Sequence, residues 1–355
     1  MWEPLSDRRT VIGISPSAVA ERSELGPEVE AIAVGAVAVL AMAQPGLKAR
    51  LTGWAEDEAV RARRCAAACE AAVAAGPFLP LDRPAHGLST DQITSLFKRY
   101  TDDLAEALER YGSLVRYDLF ARWDVDRVVA EIEARGGLPR ALRLPDGPLR
   151  AAHQHDVATA LEEKLKDRRA QIARRLDLAL EEAGLQRSPL KARAPATAAA
   201  ATVILRRSEA GALDALVRRF EAEEEVAFHC EGPQPCPSAA SLALYDASPR
   251  RLQQAARRLG LEGAPTRGDL KAAYYGALKT HHPDLRGGGQ PDTELIAKLH
   301  DAYETLIAFA DHLGASAPSD LVPLAAAGRH PRRALRLHIG EDGRRLFAAD
   351  TQRAA

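Results

Sequence analysis

The sequence predicts an α+β fold: a two-part region of mixed or antiparallel sheets and long helices, followed by an all-α helical hairpin. Three observations carry that reading. Short strand patterns alternate with helical patterns from residue 10 to about 247, without the regular succession of a doubly wound sheet. A long amphipathic helix occupies about 154–184. From Ser248 the strand patterns give way to three successive helical stripes. The chain therefore divides into 1–135, 136–247, 248–310 and a tail, 311–355.

The first strand is "TVIGISPS" (10–17). The apolar run "AIAVGAVAVLAMA" (31–43) contains Gly35 and several β-branched residues, and reads as strand, turn, strand. "AEDEAVRARRCAAACEAAVAAG" (55–76) is a helix with acids in its first turn and Gly76 at its end. "PFLPLDRP" is extended because its prolines forbid helix. Ser89 or Thr90 caps a helix that runs to about Tyr111, with Ile93, Phe97, Leu104 and Leu108 at helical spacing. "GSLVRYDLFARWD" (112–124) is a strand with Leu114, Arg116, Asp118 and Phe120 on one face.

In the helix at 154–184, Leu161, Leu165, Ile172, Leu176 and Leu180 form the apolar stripe. Its basic residues are interleaved with Glu162, Glu163 and Asp167, the pattern of a solvated face and not of a nucleic-acid footprint. "QRSPLKARAPATAAAA" (186–201) reads as a linker or long loop. "ATVILRR", "GALDALVRRFEAEE" and "EVAFHCEGP" then read as strand, helix and strand.

After Ser248, a first helix starts with Pro249 at its first position and buries Leu252, Ala255 and Leu259. Thr266 and Asp269 form a box-like cap for a second, whose stripe is Leu270, Ala273, Tyr274, Ala277 and Leu278. Asp292 or Thr293 opens a third, which buries Ile296, Leu299, Ala302, Tyr303 and Leu306. The last two pack as an antiparallel hairpin. In the tail, alternation on both sides of Glu341-Asp342-Gly343 suggests a β-hairpin.

Composition narrows the function classes. At 355 residues, with 46% apolar residues and a formal net charge of −1, the chain has material for several cores and no global polycationic character. No nucleic acid and no membrane is expected as a partner: the longest apolar run is too short to span a bilayer. No secretory signal is apparent at the N-terminus, so a cytoplasmic location is expected. Cys65 and Cys69 lie one helical turn apart, and Cys230 and Cys236 flank "EGPQP". Neither spacing is that of a zinc knuckle or a thioredoxin-type pair, so buried small residues are the expectation, with no metal and no cofactor. There is no glycine-rich phosphate loop, no nucleophile elbow and no acid–base constellation, so no enzyme activity is expected.

The stretch "ALKTHHPDLRGGG" (277–289) has a binding chemistry of its own. Pro283 fixes its own φ and restricts His282, which removes loop entropy before a partner arrives. Asp284 offers a carboxylate suited to a charge-assisted bond with arginine, and Gly287–Gly289 let the chain turn away.

Two resemblances follow from these stretches. "GPFLPLDRP" with the capped helix and "GSLVRYDLF", the long charged helix, and "VILRRSEAGALDALVRRFEAEEEVAFHCEGPQPCPSAA" resemble the GvpF/GvpL family of gas vesicle proteins over about 10–247. The last stretch closes on Gly232, Pro233, Gln234 and Pro235, like the family's Gly-Pro-x-Pro turn. The chain departs from the family at Gln234, where an aromatic is usual. It also departs at Pro237 and Ala239, in place of Tyr and Phe, and at Asp82-Arg83-Pro84, in place of Arg-Phe-Gly. The resemblance implies a two-part α+β fold and an accessory role in gas vesicle assembly. The implied partners are the gas vesicle shell subunit and other gas vesicle accessory proteins.

"LGLEGAPTRGDLKAAYYGALKTHHPD" through "IAKLHDAYETL" resembles a J-domain, the module that recruits and stimulates DnaK-type chaperone ATPases. It implies a DnaK-type chaperone as partner, contacted by His282, Pro283 and Asp284 and by a ridge of Arg267, Lys271, Tyr275 and Lys279. Gly276 stands where such modules commonly carry a basic residue, and His281 where an aromatic is common. Together the resemblances imply a gas vesicle assembly factor with a fused J-domain. The alternatives are a general J-domain co-chaperone for an unrelated client, and a gas vesicle protein whose J-like domain is purely structural.

Overall fold

The computed structural model describes residues 8–21, 25, 28–44, 57–134, 148–190, 196–281, 293–314, 333–340 and 342. Their contacts form two units, one drawn from 1–112 and 237–344, the other from 113–236. The division follows strand pairing, not chain order. Residues 113–134 of the first expected segment belong to the second unit, and the helices expected as a free-standing 248–310 belong to the first.

In the first unit, β1 (Arg9–Pro16) leads into a short α1 (Ser17–Ala20), and β2 (Val29–Val34) and β3 (Val37–Ala43) form a hairpin. The hairpin turn is Gly35-Ala36, with Gly35 at φ 64°, a conformation that glycine adopts without steric cost. Helix α2 (Glu58–Ala75) is capped by Asp57, whose carboxylate accepts from the Ala59 amide. β4 (Leu79–Leu88) is the proline-rich extended stretch.

The single helix expected over 89–111 is broken in two. α3 (Thr90–Phe97) carries a full capping box between Ser89 and Gln92; Tyr100 then leaves helical geometry at φ −114°, ψ 12°, before α4 (Thr101–Tyr111) begins. The Thr101 hydroxyl donates to the Lys98 carbonyl at 3.0 Å, satisfying a backbone group that the break would orphan.

The second unit is built on β5 (Leu114–Arg122), followed by α5 (Val125–Ala134), the long α6 (Pro148–Glu182), β6 (Gln186–Pro189), β7 (Thr197–Arg206), α7 (Ala210–Glu224) and β8 (Ala227–Pro235). The sheet order is β6-β7-β5-β8, all neighbours antiparallel. Ile172, Leu176 and Leu180 of α6 are buried as the stripe requires. The stretch expected as a linker is largely strand. Gln186–Pro189 pairs with β7, and β7 starts at Thr197, so Ala198, Ala199 and Ala201 are buried inside the sheet. Burial between two neighbouring strands overrides alanine's preference for helix. Gln234 accepts from Arg116 at 2.9 Å; Arg116 also pairs with Asp118, which accepts from Thr202 at 2.7 Å.

After β8 the chain returns to the first unit. β9 (Ala240–Asp246) leads to α8 (Pro249–Arg258), α9 (Arg267–His281), α10 (Thr293–Gly314) and β10 (Arg333–Ile339). The six-stranded sheet runs β10-β9-β4-β1-β3-β2. β10 pairs antiparallel with β9 along its whole length, from Arg333 opposite Asp246 to Ile339 opposite Ala240. β9 joins β4 in parallel through Leu242 opposite Leu81. The first arm of the expected tail hairpin therefore finds its partner in β9; the second arm lies outside the described residues.

The helices occur where the stripes put them, but the module is not all-α. Its core of Leu252, Ala255, Leu270, Leu299, Ala302, Leu306 and Phe309 continues into Ala247 and Ala334 at the ends of the two strands, with Tyr245 packed against it. The Thr266–Asp269 box forms, with Asp269 accepting from the Thr266 amide at 2.8 Å; these bonds hold the Asp269 carboxyl below its ordinary range. Ser248 makes no side-chain cap. Its amide donates instead to Asp246 at 2.9 Å.

Central packing around β1 gives a direct test of the sheet. A Cβ at Gly13 would lie 2.4 Å from the Leu79 carbonyl oxygen and 2.5 Å from the Phe78 ring. Gly13→Ala must push β1 and β4 apart and is expected to cost about 2 kcal/mol or more. A lowered urea midpoint reads this out; an unchanged midpoint would show that the two strands do not approach so closely.

Candidate functional site

The site that the sequence points to is the exposed face of α9 together with the residues after it, His282, Pro283 and Asp284. Lys271, Tyr275 and Lys279 recur every fourth residue and all three are exposed, Tyr275 at 52%. They form one ridge. Arg267 does not join it as a free cation: its guanidinium donates to Asp311 at 2.6 Å and to the Ala310 carbonyl at 2.9 Å, tying the start of α9 to the end of α10. His282, Pro283 and Asp284 lie outside the described residues.

The opposite side of α9 is held by aromatic packing. Tyr274 stacks on Tyr303 of α10 with centroids 4.4 Å apart and planes 13° from parallel, and its hydroxyl lies 3.2 Å from His300 Nδ1. Tyr275 lies beside Tyr274 at 5.5 Å between centroids, on the exposed flank of this stack. The ridge thus rests on a rigid two-helix base, which is what a binding face requires if partner contact is not to be offset by ordering.

Sequence reasoning missed a second polar constellation, where α10 meets β9 and β10. Arg336 donates to Glu304 at 2.5 Å and lies 3.5 Å from Asp311, so one guanidinium spans two carboxylates two turns apart on α10. Tyr245 Oη sits 3.3 Å from Glu304 and 2.9 Å from His338 Nε2. With Arg267 on Asp311, the chain of contacts reaches from α9 through α10 into both strands. A polar cavity of about 470 Å³ adjoins it, lined by Tyr245, Glu304 and His338 and by Asp82, Arg83 and Arg251 among others. Asp82 and Arg83 directly follow Leu81, the residue at which β9 joins β4. The signal for this cluster was the alternation of "RALRLHI", which puts Ala334, Arg336 and His338 on one face of a strand; its partner on α10 is a long-range fact that alternation does not contain.

Burial pushes the Tyr245 phenol up, with Glu304 adding to the effect, and holds the His338 imidazole below its ordinary range despite the nearby Glu304. Among the described residues no cluster of His, Cys, Asp or Glu is arranged to hold a metal ion, and no helix is long and apolar enough to cross a membrane. Cys65 and Cys236 are buried; the Cys69 thiol is pushed up to about 12 by burial and by Cys65 and Glu70, which disfavours thiolate chemistry.

Comparison with known proteins decides the family. The profile of the gas vesicle synthesis protein GvpL/GvpF matches residues 11–238. The chain belongs to the GvpL/GvpF family. Similar solved structures are gas vesicle protein GvpF from Microcystis aeruginosa and from Anabaena sp. The first is 11% identical with a TM-score of 0.40, the comparison covering 64% of this chain and 96% of that one. The second is 14% identical with a TM-score of 0.38, covering 65% and 94%. A short stretch of 48 residues is 42% identical to an uncharacterized 19.0 kDa protein in the cobS 5' region of Sinorhizobium sp.. That stretch is 14% of this chain and spans 28% of the relative. The GvpL/GvpF match ends before Ala240, so β9, the three helices and β10 all lie beyond it.

Protonation of His338 gives a test of how the module is held. Its folded-state affinity for the proton is depressed, so the unfolded chain takes up the proton first, and stability is lost as pH falls from about 6.5 through the folded value. The urea midpoint is expected to fall over that window, and His338→Gln to flatten the fall. An equal slope in the variant would assign the acid sensitivity to other groups.

Proposed function

We propose that this GvpL/GvpF protein acts in gas vesicle assembly and that its helical module recruits a DnaK-type chaperone to the assembling subunits. The family match over 11–238 carries the first half of the reading. The second half is supported by the exposed ridge of Lys271, Tyr275 and Lys279 on α9, which leads directly to His282-Pro283-Asp284. In this reading the three ridge residues meet an acidic chaperone surface, and Asp284 pairs with a chaperone arginine. No bond-making chemistry is assigned to any residue; the protein works by holding partners together. Its clients are the shell subunit or other gas vesicle accessory proteins; an apolar shell chain with unpaired edges aggregates unless it is kept apart until assembly.

A second reading has an observation in its favour. Arg267 is engaged with Asp311 and Ala310, and Gly276 adds no charge, so the basic ridge is short. On that reading the module is a structural extension of the sheet without chaperone coupling. A general co-chaperone for an unrelated client is the third possibility, and two experiments separate the three.

In the full-length protein, Asp284→Asn keeps the side chain's size while deleting its charge. Loss of one charge-assisted bond is expected to cost about 1.5–3 kcal/mol, weakening stimulation of the organism's own DnaK-type ATPase roughly ten-fold or more. Lys271→Ala with Lys279→Ala is expected to weaken it in the same direction and to reduce its salt dependence. Absence of stimulation by the unaltered protein, or equal stimulation by the Asp284 variant, would leave the structural reading. For the client, the shell protein is expected to co-purify with the full chain from cells producing both. Failure to co-purify, together with binding to unrelated unfolded proteins, would point to the general co-chaperone.

A further inference from the structure

The face of α8 that looks away from the module's core carries arginines and glutamines and no acid. Leu252, Ala255 and Ala256 are buried, whereas Arg250, Gln253, Gln254 and Arg257 are exposed and Arg258 is half-exposed. These five side chains line a shallow depression on the helix surface. The helix contains no acidic residue between Pro249 and Arg258.

Helix stability does not explain this arrangement. Arg257 and Arg258 in the last turn complement the helix dipole, but Arg250 stands in the first turn, where a positive charge is unfavourable. Arg251 beside it is neutralised by Asp301 of α10. Arg250 faces outward with no acid on its own helix, and its charge adds to that of Arg257 two turns along. The positive charge at Arg250 is therefore offset by no acid on α8, and an anionic partner on this face would offset it.

We propose that this face of α8 docks an acidic segment of a partner protein, with carboxylates pairing to Arg250, Arg257 and Arg258 while Gln253 and Gln254 bond to its backbone. Charge complementarity selects the class of partner, and spacing selects its form. Arg250 and Arg257 are about 10 Å apart along the helix at 1.5 Å per residue. On an extended segment, side chains alternate sides, so carboxylates two or four residues apart share a side at about 7 or 13 Å, a span that the long arginine side chains bracket. A membrane surface fits less well, because the apolar side of α8 is already buried and has nothing to insert. A nucleic acid also fits less well. Asp246 and Glu262 stand beyond the two ends of the helix, where a phosphate backbone would have to continue, and a three-arginine footprint neutralises only about three phosphates. This docking face is on α8 and independent of the ridge on α9, so it stands or falls apart from the chaperone reading.

The test uses the full chain and a fluorescent oligoglutamate peptide followed by anisotropy at low and at physiological salt. Binding is expected, weakening as salt rises, and falling about ten-fold in the triple variant Arg250→Ser, Arg257→Ser, Arg258→Ser. Circular dichroism should show unchanged helicity. A control triple variant on exposed arginines of the second unit, Arg174→Ser, Arg218→Ser, Arg219→Ser, is expected to bind as tightly as the unaltered protein. Three results would overturn the proposal: no oligoglutamate binding, equal loss in both triple variants, or tighter binding at the same salt to duplex DNA or to phosphatidylserine vesicles than to the peptide.

Discussion

The antiparallel pairing of β9 with β10 is the constraint on which the C-terminal architecture rests. Arg333 lies opposite Asp246, so the three helices between them must leave and re-enter the sheet at the same end. That geometry lets α10 lie against both strands while packing on α8 and α9. It also places Arg336 where it bridges Glu304 and Asp311. Paired carboxylates on a helix that is partly removed from water need such a cation, because each would otherwise carry the cost of desolvation alone. The sheet and the helices thus share one core and one polar cluster, and neither is complete without the other.

This changes how a family region and an added module are pictured together. The match to GvpL/GvpF ends at 238, yet the chain beyond it is not strung on a linker. β9 extends the ladder of β4, and Asp82 and Arg83 line the cavity beside β9 and β10. The helical module is thus joined through β9 to β4, the neighbour of the central β1, and not by a flexible tether.

The parts legible in the sequence were those whose physics is local. Leu270, Ala273 and Tyr274 repeat at helical spacing; Gly35 marks a two-residue turn; Thr266 and Asp269 cap a helix within four residues. Each depends on neighbours a few positions away. The parts that were not legible depend on distant partners. Alanines 198–201 look like linker until β5 and β6 are placed on either side. The break at Tyr100 follows from how α3 and α4 meet the sheet, not from any helix breaker in the sequence. Arg267 has the spacing of the ridge but the geometry of a clamp, since Asp311 lies 44 residues later. Of the candidate site, the ridge of Lys271, Tyr275 and Lys279 was readable as a face, whereas the Tyr245–Glu304–Arg336–His338 cluster needed the fold.

The order of the strands along the chain has a consequence during synthesis. β9 emerges from the ribosome long before β10, and the intervening chain takes roughly 4–20 s to make at about 5–20 residues per second. Throughout that interval the strand carrying Leu242 and Leu244 has β4 on one side and no chain on the other. An apolar strand with an open hydrogen-bonding edge is a template for the wrong partner. A nascent chain of this design passes through a stage with the same hazard as its proposed clients, and it ends only when residues 333–339 arrive to close the edge.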